Sequence, residues 1–187
     1  MSLMPDTDLV AAIRGRRTIN RFQPRPVDPA IIHEALELAR WAPNHYLSEP
    51  WHFYLIGEET RAQILDLNST LVARSKGAEA AQAKRERWSA IPGWLVVTCE
   101  RSEDPLRQQE DYAACCCLVQ NLMLALWGQG IGSKWSTGPI TREADFYDLI
   151  WVDPEAEQVV GLIWYGYPDE QPDSRRRPAS ASLVELP

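Results

Sequence analysis

Residues 111–138 read DYAACCCLVQNLMLALWGQGIGSKWSTG, and this stretch decides the fold. From Tyr112 to Trp127 it is apolar almost all the way round a helical wheel, interrupted only by Gln120 and Asn121. A helix without a polar face belongs in a core or in a membrane. A transmembrane span needs about 20 predominantly apolar residues. This run is shorter, carries an amide pair, ends in three glycines and lacks flanking clusters of Lys or Arg. The reading is therefore a central buried helix of about 17 residues, roughly 25 Å long. Glu110 and Asp111 are expected at its start, where the helix dipole favours carboxylates. Gly128 and Gly130 close its end. The chain then enters a Gly-rich loop ending Lys134-Trp135-Ser136-Thr137-Gly138, a plausible holder of a site.

The 187 residues suit one domain with a sizeable core. Charged residues make up 24% and hydrophobic ones 45%, ordinary for a globular chain. A net charge of -7 argues against general binding to nucleic acid or to an anionic membrane. No secretory h-region opens the sequence, which points to the cytoplasm. Cys99, Cys115, Cys116 and Cys117 include a triplet that looks like a metal motif. Successive helix residues point about 100° apart, so three adjacent thiols do not face one ion. Core cysteines and no metal site are expected.

Along the chain, Asp6 or Thr7 can cap a first helix containing Leu9, Val10 and Ile13. Asp28-Pro29 starts a second helix that stops before Pro43. Residues 42–51, with two prolines, form a loop. His52–Ile56 is a strand, Glu58–Leu67 a helix, and Ser69–Trp88 a helical cover of weak periodicity. Trp94–Cys99 is a buried strand, and residues 102–105 a loop. Thr141 caps a helix to Ile150, and Gln158–Gly166 is another buried strand. Ser182–Leu186 could form a short strand in the tail. Dispersed strands among more numerous helices give an α+β, three-layer arrangement, a small mixed sheet around the central helix.

Two arginine groups carry the chemistry of the sequence. Arg14, Arg16, Arg17, Arg21 and Arg25 fall within twelve residues, and Arg175-Arg176-Arg177 lies in the tail. Guanidinium is a planar fork suited to phosphate, and in an acidic chain two such groups read as a phosphate seat if they converge. Solvated surface arginine is the competing interpretation. Eight tryptophans are present, with Trp41, Trp51 and Trp135 in or beside the loops, suited to a flat aromatic ligand or to packing. No Ser/His/Asp or Cys/His set is apparent.

Four segments resemble the FMN-dependent nitroreductases. They are Arg16-Arg17-Thr18-Ile19, then Ala42-Pro43-Asn44-His45 with Glu49-Pro50-Trp51. The third is Gln120-Asn121-Leu122 through Gly130-Ile131-Gly132 to Trp135-Ser136-Thr137-Gly138. The fourth is Val160–Ile163 with Gly166-Tyr167-Pro168 and Arg177-Pro178. The resemblance implies a homodimer with FMN at the interface, NAD(P)H as co-substrate and a nitroaromatic, quinone or enone-type acceptor. Arg16, Arg17 and Thr18, with Arg175 and Arg177, would hold the phosphate end. Trp135, Ser136, Thr137 and Gly138 would line the ring. Trp41, Pro43, Asn44 and His45 would reach the partner's flavin. Asn20 stands where many members carry Lys or Arg. Residues 169–187 would wrap the partner subunit as an arm of a single 1–187 domain. A flavin storage or sensor protein is the rival function.

Overall fold

The computed structural model describes residues 9–187. The proposed cap at Asp6 or Thr7 lies outside them. Four strands, β1 (Trp51–Leu55), β2 (Gly93–Glu100), β3 (Gly132–Ser136) and β4 (Glu157–Gly166), form one sheet in the order β1-β2-β4-β3. All three ladders are antiparallel, and the mixed character expected of the sheet is confined to a single parallel bridge between Thr18 and Ser133. Helices α1 (Leu9–Gly15), α2 (Pro29–Ala39), α3 (Glu58–Lys76), α4 (Ala78–Ser89), α5 (Pro105–Gly128) and α6 (Ala144–Leu149) complete the described chain.

Both faces of the sheet are covered, which is why β2 and β4 read as continuous apolar runs. Alternate residues feed two cores. Leu95, Val97 and Ile163 pack with α2 and α5, around Ala35, Leu118 and Leu122. Trp94, Val96, Leu162 and Trp164 pack with α3, α4 and α6, around Ile64, Trp88 and Phe146. The result is the expected α+β three-layer sandwich. A bulge where the register slips between Val97 and Thr98 lets Val160 and Ile163 share one face despite odd spacing. Beside it the Trp135 indole lies against Gly161, where an added Cβ would meet Nε1 at 2.1 Å, so no larger residue fits there.

Several local expectations need correction. Helix α5 has 24 residues and begins at Pro105, not near Glu110. The Asp104 carboxylate caps it by accepting from the Leu106 and Arg107 amides at 2.9 and 3.4 Å. Glu110 and Asp111 therefore lie inside the helix, where they hold the loop at residues 45–48. Nor is α5 buried all round. Leu118, Leu122 and Leu126 are enclosed, but Tyr112, Ala113, Cys117 and Gln120 are open on one side. Cys99 and Cys115 are core residues as expected, whereas Cys116 is half-buried and Cys117 exposed.

The supposed loop at residues 132–136 is strand β3; pairing with β4 overrides the weak strand preference of Gly, Ser and Lys. The helical cover breaks at Gly77, not near Ser69, because φ of +88° there turns the chain sharply between α3 and α4. Thr141 does not cap a helix. Its hydroxyl donates to the Gly138 carbonyl at 2.9 Å in a 3-10 turn, Pro139–Arg142, and α6 follows. Ser182–Leu186 forms no strand; the tail holds only a 3-10 turn at Ala179–Ala181.

Candidate functional site

The free edge of β3 organises the site. The Ile19 amide donates to the Ser133 carbonyl at 3.1 Å, beside the Thr18–Ser133 bridge. This pins the chain after α1 to the sheet edge and fixes Arg16 and Arg17 next to it. The tail returns over the same segment. The Asp169 amide donates to the Arg21 carbonyl, and the Gln23 amide to the Tyr167 carbonyl.

The two arginine groups do converge, through residues that differ in part from those nominated. Arg17 turns inward. Its Nη1 donates to the carbonyls of Arg14, Gly15 and Arg16 at 2.7, 3.0 and 2.9 Å, and its Nε to Pro172 at 3.1 Å. It closes the C-terminus of α1, where a cation also suits the dipole, and ties down the tail. Arg16 is half-buried and donates to no protein group among the described residues. Burial, then the guanidiniums of Arg176 and Arg17, hold its pKa below the usual arginine value. Partly desolvated like charges facing one another are a seat for an oxyanion. Arg176, which the sequence reading passed over in favour of Arg175 and Arg177, is the tail residue that Arg16 feels; all three tail arginines are exposed.

A cavity of about 820 Å³ lies under the α3–α4 cover, within the roughly 300–1,000 Å³ common for small-molecule sites. Asn20, Lys134, Ser136 and Gly138 line it on the sheet side. The Lys134 ammonium donates to Asn20 Oδ1 at 2.8 Å and lies 4.9 Å from the centre of the Trp164 ring. A cation thus stands against Asn20, supplied from β3. Strand alternation sends Trp135 to the opposite face, where its Nε1 donates to the Val160 carbonyl at 3.0 Å. The structure therefore does not bring Trp135 into the cavity. Thr137 is exposed, its carbonyl accepting from Arg142 at 3.3 Å.

Trp41, Pro43, Asn44 and His45 lie elsewhere, on the α2–β1 connection against α5. Trp41 is 79% exposed. His45 Nδ1 pairs with Glu110 at 2.7 Å, its ring stacked on Tyr46. Asn44 binds the Ala42 carbonyl and the Glu49 amide, and Ser48 donates to buried Asp111 at 2.9 Å. Tyr46, Leu47 and Glu49 all have positive φ, a strained loop that these bonds hold. Its apolar side chains point outward: Tyr46 and Leu47 are exposed.

The cavity also holds residues that sequence reasoning missed. Asn68, Lys76, Lys84, Arg87 and Trp164 line it. The signal was available: Ala80, Ala83, Lys84 and Arg87 repeat at helical spacing on one face of α4. Among the described residues no group of three or more His, Cys, Asp or Glu could hold a metal, and no helix is long and apolar enough to cross a membrane.

This combination of a three-layer sandwich, a cationic seat at a sheet edge and a donor-lined cavity defines a ligand-binding α+β class. The model of the Nitroreductase family matches residues 13–167, and the chain belongs to that family. It is 34% identical over 169 residues, 88% of this chain and 87% of the other, to a Bacillus subtilis (strain 168) protein named "Putative NAD(P)H nitroreductase YfhC". YdjA of Escherichia coli (strain K12), with the same description, is 25% identical over 86% of this chain and 88% of its own. Among solved structures, a nitroreductase-like family protein from Bacillus cereus superposes with a TM-score of 0.86 at 29% identity, covering 99% of both chains. A nitroreductase from Desulfovibrio desulfuricans, solved with FMN, gives 0.75 at 24%, covering 98% and 99%.

Proposed function

We propose that the chain is an FMN-dependent NAD(P)H oxidoreductase that passes electrons to a small organic acceptor of the nitroaromatic, quinone or enone type. The observation that carries this reading is the convergence of unpaired Arg16 with Arg176 at the β3 sheet edge, the edge whose Asn20, Lys134 and Ser136 line a cavity. FMN fits that donor set. Its phosphate would be met by Arg16 and Arg176, with Arg175 and Arg177 adjoining. Thr18, Asn20, Lys134, Ser136 and Gly138 would hold the rest. Trp164 Nε1, in the cavity wall, is buried and has no acceptor, which suits a ligand rich in carbonyl and imine acceptors.

Bound FMN supplies the redox chemistry, accepting a hydride from NAD(P)H and delivering two electrons to the acceptor in a second half-reaction. The chain's own residues bind, orient and exclude water. Lys134, fixed by Asn20, puts a positive charge in the cavity wall, which would favour an anionic reduced cofactor held there. The α3–α4 cover forms one wall of the cavity and limits solvent access on that side.

The working form is a homodimer. The open stripe of α5 and the exposed Trp41, Tyr46 and Leu47 supply large apolar side chains of the kind that interfaces cover. The partner subunit's Trp41–His45 segment would then complete each flavin site, and residues 169–187 would extend over the partner. Four free thiols suit a reducing compartment, the cytoplasm.

Steady-state oxidation of NADH and NADPH, with and without a nitroaromatic or quinone, tests the reading. Turnover should rise steeply with acceptor. A flavin-loaded protein whose flavin NAD(P)H does not reduce would instead be a storage or sensor protein.

A further inference from the structure

Cations dominate the charged groups around the cavity. Lys76, Lys84 and Arg87 enter from the α3–α4 cover and Lys134 from the sheet, against a single lining carboxylate, Glu143. Among the described residues none of the four cations forms an ion pair with a carboxylate. Lys84 lies 4.8 Å from the centre of the Trp88 ring. Its pKa is lowered by burial first, then by Arg87, Lys76 and Lys134. That of Lys134 is lowered by burial and then by Arg87. The cations thus converge on one volume. At its wall Asn68 is 2% exposed, with Nδ2 unpartnered. Arg16 and Arg176 do not line this volume, so it is separate from the phosphate seat.

Mutual repulsion, partial desolvation and an orphaned amide each destabilise the empty arrangement. An oxyanion relieves all three together. We infer that the α3–α4 side of the cavity binds an oxyanion carried by one of the two reactants, with Arg87, Lys84 and Lys76 as its cationic donors and Asn68 at its base. The anion is the 2′-phosphate of the reduced nucleotide or a carboxylate on an aromatic acceptor. The choice of reactants rests on the oxidoreductase reading; the anion site itself can be measured without flavin.

The experiment is calorimetric titration of the purified protein with two matched pairs, NADP⁺ against NAD⁺ and 4-nitrobenzoate against 4-nitrobenzamide. FMN content is recorded by absorbance on each sample. In the wild type the anionic member of at least one pair binds at least tenfold tighter, and the pair that responds identifies the source. That ratio falls as sodium chloride is raised, since the contacts are ionic. In the Lys84→Gln/Arg87→Gln double variant it falls close to one. A ratio near one in both wild-type pairs overturns the inference, as does a ratio that survives the double variant. Loss of FMN from the double variant with the ratio intact would assign these cations to the flavin. A protein that binds no FMN yet keeps the ratio removes the flavin reading and leaves the anion site standing. An FMN-loaded protein without the ratio does the reverse. Should the double variant fail to fold, the wild-type ratio and its salt dependence decide alone.

Discussion

Adjacent arginines in this chain do different work, and only geometry separates them. Arg16 keeps its donors free, while Arg17 gives four of its hydrogen bonds to backbone carbonyls. Arg16→Ala should therefore weaken FMN binding by about 1.5–3 kcal/mol, the range for hydrogen bonds to charged groups, and leave urea stability nearly unchanged. Arg17→Ala should instead destabilise the fold by about 1–3 kcal/mol. Fluorescence titration and urea melts on the same samples check both; a reversed pattern exchanges the roles. Sequence showed that an arginine pair was there, but not which fork faced outward, because that depends on Pro172, 155 residues away. Tyr54 gives a pH test of the same kind. Burial first, then hydrogen bonding and charge at Glu157, push its phenol up to about 12, against about 10 in the unfolded chain. The folded state holds a proton that the unfolded state releases. Its contribution is whole below about pH 10 and is lost as pH rises through about 12. Urea melts between pH 9 and 11.5 should show a steeper loss for wild type than for Tyr54→Phe; equal slopes would remove Tyr54 from the account.

Elements were legible where their signals were local. Asp28-Pro29 announced α2, and the apolar runs announced β2 and β4. Asp104-Pro105 repeats the same cap, yet the polar run Leu106–Glu110 that follows has no apolar periodicity, so the first turns of α5 went unseen. Strand β3 was illegible because its pairing with β4 and Thr18 is non-local. The α3–α4 cover was recognised as helical, but its cationic face acquires meaning only opposite Lys134. Helix α5 carries the element-scale prediction. Its apolar sequence suits complete burial, while the single chain leaves Cys117 on an open stripe. The proposed second subunit would cover it. Cys117→Glu would place an unpaired carboxylate in that interface. The dimer dissociation constant should rise at least a hundredfold, about 2.7 kcal/mol, by analytical ultracentrifugation. A dimer of unchanged affinity would put the interface elsewhere.

At the scale of the whole molecule, the sheet edge meets the returning tail at the arginine seat and the α3–α4 cover at the cavity, in a chain whose net charge is -7. The fold was legible because the two buried strands and the central helix dominate the composition. The arginine groups were legible in the sequence, whereas the nominated Trp135 and Trp41–His45 lie away from the cavity; Asn68, Lys84 and Arg87 at the cavity and Arg176 beside Arg16 stayed hidden because their placement is entirely tertiary. All of it depends on FMN being the ligand. The most direct test is to reconstitute the purified chain with FMN, remove the excess by size exclusion, and record the visible spectrum before and after anaerobic NADPH. The account predicts a dimer holding one FMN per chain, whose visible flavin absorbance bleaches on reduction. A colourless protein that gives no quenching of FMN fluorescence at micromolar concentration would contradict it.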